Sequence, residues 1–152
     1  MQRNIVAIIT VIMLIATTIS EYLAQYPVQW KNEMPDGCPP LDVLIPDGHT
    51  FFRYTLFAAR CEETDFLTYR QLNPDRDWGE LLPLASGLSV INSLEKARRN
   101  LKLPMLRKYK GIAELVLNPT DGVVQQTGVH LSHYTWWQTT SFNMNHVKML
   151  PL

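Results

Sequence analysis

Hydrophobic and polar positions divide the chain into three stretches. Residues 4–20 carry no charge, and Ile5 to Ala16 is an almost unbroken apolar run, preceded by Arg3 and closed by Glu21. No amphipathic stripe interrupts it. A bilayer span needs about 17–20 apolar residues, so the run is borderline for one. Residues 1–24 are therefore expected to form an apolar N-terminal helix, a signal or membrane anchor, with Arg3 as the short positive region before it. Thr18-Ile19-Ser20 offers small residues for cleavage. Two readings compete. The run is a buried core helix, or translation starts at Met34 and the upstream residues are not part of a then cytoplasmic protein.

Residues 25–48 form an extended lead-in. Pro27, Pro35, Pro39, Pro40 and Pro46 interrupt any helix, and Asp36-Gly37 and Asp47-Gly48 are turn pairs. Only Leu41 to Ile45 suits a short strand or a turn of helix.

The body, residues 49–152, mixes two periodicities. Thr50 to Ala59 is apolar on both faces apart from Arg53, which predicts a central strand. Residues 61–72 read as a helix, with Glu62, Glu63 and Asp65 in its first turn and Pro74 beyond its end. Ser86 to Ile91 is a strand candidate. Asn92 and Glu95 are spaced as a capping box for a helix running to about Leu101. Gly111–Leu117 and Val123–Thr127, joined by a turn at 118–122, read as a hairpin. His133 to Trp137 is the last strand candidate, and a polar tail follows. The expected fold is a small single α+β domain: a three- to five-stranded mixed sheet with about two helices, preceded by the apolar helix.

Composition sharpens this picture at one point. Lys and Arg number 14 against 14 Asp and Glu, and 46% of residues are hydrophobic. The neutral total argues against a generally basic nucleic-acid binder, and the apolar fraction is too high for disorder. Yet residues 36–80 are net −5 and residues 81–110 net +6. Arg98, Arg99, Lys102 and Lys108 in the second segment are candidates for an anion-binding patch; the alternative is a solvated helix face. Cys38 and Cys61 are too few for a disulfide scaffold, although in an exported protein they could pair.

Candidate chemistry gathers on the strands. His130 and His133 have metal-like spacing only on a helix, and their surroundings read as extended, so no metal is expected. Tyr134, Trp136 and Trp137, joined by Arg53, are candidates for a ligand-binding wall. Arg53 suits a phosphate or carboxylate. Glu114 suits a hydroxyl acceptor or base, unless it simply pairs with Arg53. The catalytic candidates are Arg53, Ser89, Glu114 and His133. Walker, GxGxxG and GxSxG patterns are missing.

The order of Arg53, Ser89 and Glu114 on successive strands resembles that of ADP-ribosyltransferase-like domains. The Ser-Thr-Ser signature and the Glu-x-Glu pair of that family are absent from this chain. The resemblance implies an enzyme acting on a nucleotide-like substrate.

Three functions follow as expectations. The first is a binding or interaction module using the aromatic strand and the basic helix, with an anionic ligand or nucleotide as partner and no cofactor. The second is the nucleotide-directed enzyme, and the third an exported or membrane-tethered structural protein held through residues 4–20.

Overall fold

A computed structural model describes residues 14–152. Its strands are β1 (Ile15–Thr18), β2 (Asp42–Ile45), β3 (His49–Thr55), β4 (Leu88–Ile91), β5 (Gly111–Leu117), β6 (Gly122–Gln126), β7 (His133–Gln138) and β8 (Lys148–Leu150). The helices are α1 (Ile19–Gln25), α2 (Tyr69–Leu72), α3 (Leu82–Ala85) and α4 (Leu94–Asn100). Among the described residues the strands form one eight-stranded sheet in the order β1-β2-β6-β7-β4-β3-β5-β8. Every neighbouring pair is antiparallel. This corrects the expected mixed sheet of three to five strands with about two helices.

The extra strands come from both ends. Residues 4–13 of the apolar run lie outside the described residues. After them the chain forms a strand, not a continuous helix to residue 24. The reason is local: Ile15-Ala16-Thr17-Thr18 is rich in β-branched residues, and Thr18 caps α1. The Thr18 hydroxyl accepts from Glu21 N, and the Glu21 carboxylate accepts from Thr18 N, a reciprocal cap that starts the helix there. Among the described residues, no helix is long and apolar enough to cross a membrane. At the other end, the tail contributes β8 beside β5.

Three further expectations shift. The stretch 61–72 is not one helix but a 3-10 turn, Glu63–Phe66, followed by α2. Asp65 accepts from Glu62 N and Leu56 N, tying the turn to the end of β3, and Thr68 then caps α2 afresh. The cap of α4 is Ser93 rather than Asn92, its hydroxyl accepting from Lys96 N at 3.3 Å. Gly111–Leu117 and Gly122–Gln126 do not form a hairpin: β5 pairs with β3 along seven residues, while β6 pairs with β7 and β2. Asp121 accepts from Asn118 N at 2.7 Å, tightening the link, and Gly122 leaves it at φ 128°. That conformation suits glycine and starts β6 away from β5.

Two layers of side chains flank the sheet. Phe51, Val90, Leu115 and Trp136 lead one face, packed against Phe66 and Phe142. On the other face, Tyr22 of α1 covers Val43, Val123 and Trp137, while Ala97 of α4 covers Phe52, Ile91 and Ile112. Residues 15–25 are thus knit into the domain. Tyr22 is fully buried and its hydroxyl donates to the Pro119 carbonyl at 2.7 Å. A chain starting at Met34 would lack β1 and α1 and leave the Trp137 cluster open. Cleavage near Ser20 would remove β1. Cys38 and Cys61 are both free thiols, and burial pushes the Cys38 thiol up to about 11.

Two substitutions probe this layer by urea denaturation. Tyr22→Phe removes only the hydroxyl and should cost about 1 kcal/mol. Gly122→Ala would drive a Cβ against Trp137 O and to 2.9 Å from Trp136 Nε1 in a conformation that L residues avoid. It should cost about 2–3 kcal/mol, with the urea slope unchanged.

Candidate functional site

The sheet is incomplete in the middle. β3 pairs with β5 over seven residues, but with β4 only at Phe52↔Ile91. Beyond that bridge β3 and β4 diverge, and a cleft of about 400 Å³ occupies the gap. Leu56 and Tyr54 of the β3 side and Gly87, Leu88 and Ser89 of the β4 side form its walls. The segment around Thr64–Leu72 closes one side, and the end of α4 at Asn100 with the segment running on to Tyr109 closes the other. The lining is mostly apolar with a few polar groups, the usual character of a small-molecule site.

Arg53 is the centre of this arrangement. Its Nε donates to Asp65 O at 2.6 Å and its Nη1 to Ser89 O at 2.7 Å. The guanidinium thus occupies the place where ladder hydrogen bonds between β3 and β4 would otherwise run. Both partners are neutral carbonyls. The ion pairs among the described residues are Arg60–Glu62 and Arg99–Glu95, so Arg53 has no carboxylate within bonding distance. The Asp65 carboxylate itself is committed to two backbone N–H groups. Burial pulls the Arg53 pKa down, with Tyr109, Tyr69 and Asp65 opposing that pull. Arginine nonetheless stays charged at neutral pH. The result is a cation balanced by dipoles, with Nη2 left free of protein partners among the described residues.

The sequence candidates divide between the cleft and elsewhere. Arg53, Ser89 and His133 all line it, and so does Lys108 at its exposed rim. Glu114 does not line it. Successive register partners run Lys148, Glu114, Phe52, Ile91, His133, so Glu114 sits three strand spacings, about 14 Å, from His133. Arg53 is opposite Ala113, which puts Glu114 on the other face of the sheet from Arg53. The expected Arg53–Glu114 ion pair is therefore absent.

The aromatic candidates lie in the core. Trp136 and Trp137 are fully buried, and their Nε1 groups donate to Asp121 O and Pro83 O, each at 3.0 Å. Tyr134 packs edge-on against Phe51 with ring centres 5.3 Å apart. In the basic patch, Arg99 pairs with Glu95, and Arg98 donates to Pro151 O. Lys102 is exposed. Gln125 donates to Asp42 O, far from the cleft.

Tyr54, Tyr69 and Tyr109 were not singled out by sequence. Tyr54 and Tyr109 stand 5.7 Å apart, centre to centre, and the Tyr54 hydroxyl donates to Ala97 O. The available signal was the interleaving of Leu103, Met105 and Leu106 among the bases of 102–108. Met105 is 80% exposed and Leu103 45%, an apolar lip that a solvated basic loop does not need.

Two half-buried histidines make stability depend on pH. Burial lowers the pKa of both His49 and His133. The unfolded chain therefore binds protons that the folded chain refuses. Their contribution is present above the unfolded value of about 6.5 and is lost as pH falls through the folded values. Asp121, raised by burial, acts in the opposite sense in the lower carboxylate range. The urea midpoint should fall between pH 7.5 and 5.5, and the double variant His49→Gln, His133→Gln should show a smaller fall. No protein-family model matches the chain, and neither a curated protein nor a solved structure matches it.

Proposed function

We propose that the protein is a ligand-binding domain that takes a small anionic, ring-bearing molecule of nucleotide type into the β3–β4 cleft. One observation carries this reading: Arg53 brings a positive charge, unpaired by any carboxylate among the described residues, to a mostly apolar cleft of about 400 Å³. An anion at Nη2 would satisfy donors that the protein leaves open, and a charge-assisted contact in such surroundings is strong. Tyr54, Tyr69 and Tyr109 supply flat surfaces for a ring. Lys108 adds a second positive charge at the mouth.

The enzymatic alternative has partial support in Arg53, Ser89 and His133 meeting at one cleft. An ADP-ribosyltransferase-like arrangement also requires its carboxylate, and Glu114 is on the wrong side of β3 to supply it. Binding is therefore the reading adopted. Export or attachment to a membrane through residues 4–20 is a separate proposal, resting on their lack of charge.

Calorimetric titration tests the binding reading. The four ribonucleoside 5′-monophosphates are compared with their uncharged nucleosides. At least one monophosphate should bind about tenfold or more tightly than its nucleoside, the worth of one hydrogen bond to a charged group. Arg53→Lys, which keeps the charge but loses the planar fork, should weaken that binding by about tenfold. Lys108→Gln, at an exposed site, should weaken it about two- to threefold without changing stability. Equal binding of monophosphate and nucleoside, or binding by neither, would refute the reading.

A further inference from the structure

His133 opens β7 and stands beside Ile91 of β4, at the end of the rung that closes the cleft. Its two ring nitrogens have different surroundings. Nδ1 lies 3.1 Å from the main-chain oxygen of Thr127 and 3.1 Å from the Thr127 hydroxyl. A carbonyl oxygen can only accept, so Nδ1 carries the hydrogen and donates toward Thr127. The Thr127 hydroxyl has a further partner in Thr135 Oγ1 at 2.8 Å, which completes this small network on the Nδ1 side. Thr127 N also donates to His133 O, so the two residues close the end of the β6–β7 hairpin and hold the ring between them.

Nε2 is consequently a bare lone pair. It has no hydrogen-bond partner among the described residues, and His133 is one of the cleft residues. Burial, reinforced by nearby His130 and opposed by the Thr127 main chain, holds the imidazole below its ordinary pKa. The ring is neutral at pH 7, and a neutral imidazole with its hydrogen fixed on Nδ1 offers an acceptor at Nε2 and repels an anion there.

The cleft therefore has two unlike poles. Arg53 calls for an anion and His133 for a hydrogen-bond donor. By register His133 leaves the sheet on the Phe52–Ile91 face and Arg53 on the other, but the guanidinium turns into the gap to reach Ser89 O, so both residues line the one cleft and a small molecule seated in it can address both. The side-chain hydroxyl of Ser89, on the strand between them, has no protein partner among the described residues and lines the same cleft.

We propose that the ligand is a hydroxylated anion, a sugar phosphate or ribonucleotide, whose phosphate meets Arg53 while a sugar hydroxyl donates to His133 Nε2. This rests on the cleft-binding reading above and narrows its ligand class. It also gives His133 a role in specificity: the residue selects sugars that keep their hydroxyls.

Calorimetry with two probes, a ribonucleoside 5′-monophosphate and its 2′,3′-dideoxy counterpart, tests this on the intact chain for each of the four bases. The wild-type protein should bind the ribose form about five- to tenfold more tightly for at least one base. His133→Phe should erase that preference while leaving affinity for the dideoxy form within about twofold. Ring ¹⁵N spectra of the wild-type protein, which do not depend on the variant folding, should show hydrogen on Nδ1 and a bare Nε2 that shifts when the ribose form is added. Equal binding of the two probes by the wild type, or hydrogen found on Nε2, overturns the assignment of His133 and leaves the binding reading standing. Failure of all the monophosphates to bind overturns both.

Discussion

The Arg53 guanidinium sits between two strands that pair at one rung only. Antiparallel neighbours normally satisfy one another's main-chain groups along their whole shared length. Here that exchange stops at Phe52↔Ile91, and the guanidinium takes over, donating to Ser89 O on one strand and to Asp65 O on the covering turn. Asp65 completes the device from its other end: its carboxylate receives Leu56 N just beyond β3 and Glu62 N at the start of the turn. One arginine and one aspartate, not paired with each other through their charges, thus bond four main-chain groups around the gap. The features of the cleft follow: the apolar walls, the free guanidinium edge and the access to Ser89 and His133.

This arrangement explains why Arg53 was conspicuous in the sequence while its role was not. An arginine between Phe51 and Phe57 in an apolar stretch must have a reason, and the pattern placed it on an interior strand, although β3 ends at Thr55, short of the expected Ala59. The partner it was expected to find, Glu114, depended on which strand lay beside β3 and in which register. Long-range pairing of that kind leaves no trace in local periodicity. Ser89 and His133 were legible as strand residues; their meeting at one cleft depends on β4 lying between β3 and β7.

The same distinction between local and distant physics runs through the fold. Thr50–Ala59 and His133–Trp137 announce themselves by composition, and β3 and β7 lie within or beside those bounds. By contrast β1 and β8 are four and three residues long, and their strand character comes from β2 and β5, the neighbours that accept them. The apolar run illustrates the competition most sharply. Hydrophobicity alone favours a helix there, yet the Thr18–Glu21 cap fixes where α1 begins. The tryptophans illustrate its converse: dense aromatics suggest a ligand wall, but burial of Trp136 and Trp137 with satisfied Nε1 groups makes them foundation.

The lone Phe52–Ile91 bridge also divides the sheet mechanically. On one side stand β3, β5 and β8; on the other, five strands from β4 to β1. Among the described residues, a single ladder rung joins the main chains of these two plates, and the Arg53 contacts, the packing of α4 and the core layer of Phe51, Leu115, Val90 and Trp136 bind them further. A rivet of this kind concentrates shear at one place. Rotation of one plate against the other about this rung would change the width of the gap without breaking a rung within either plate. A molecule bound at Arg53 on one plate and at His133 on the other, as proposed above, would act as a second rivet between them.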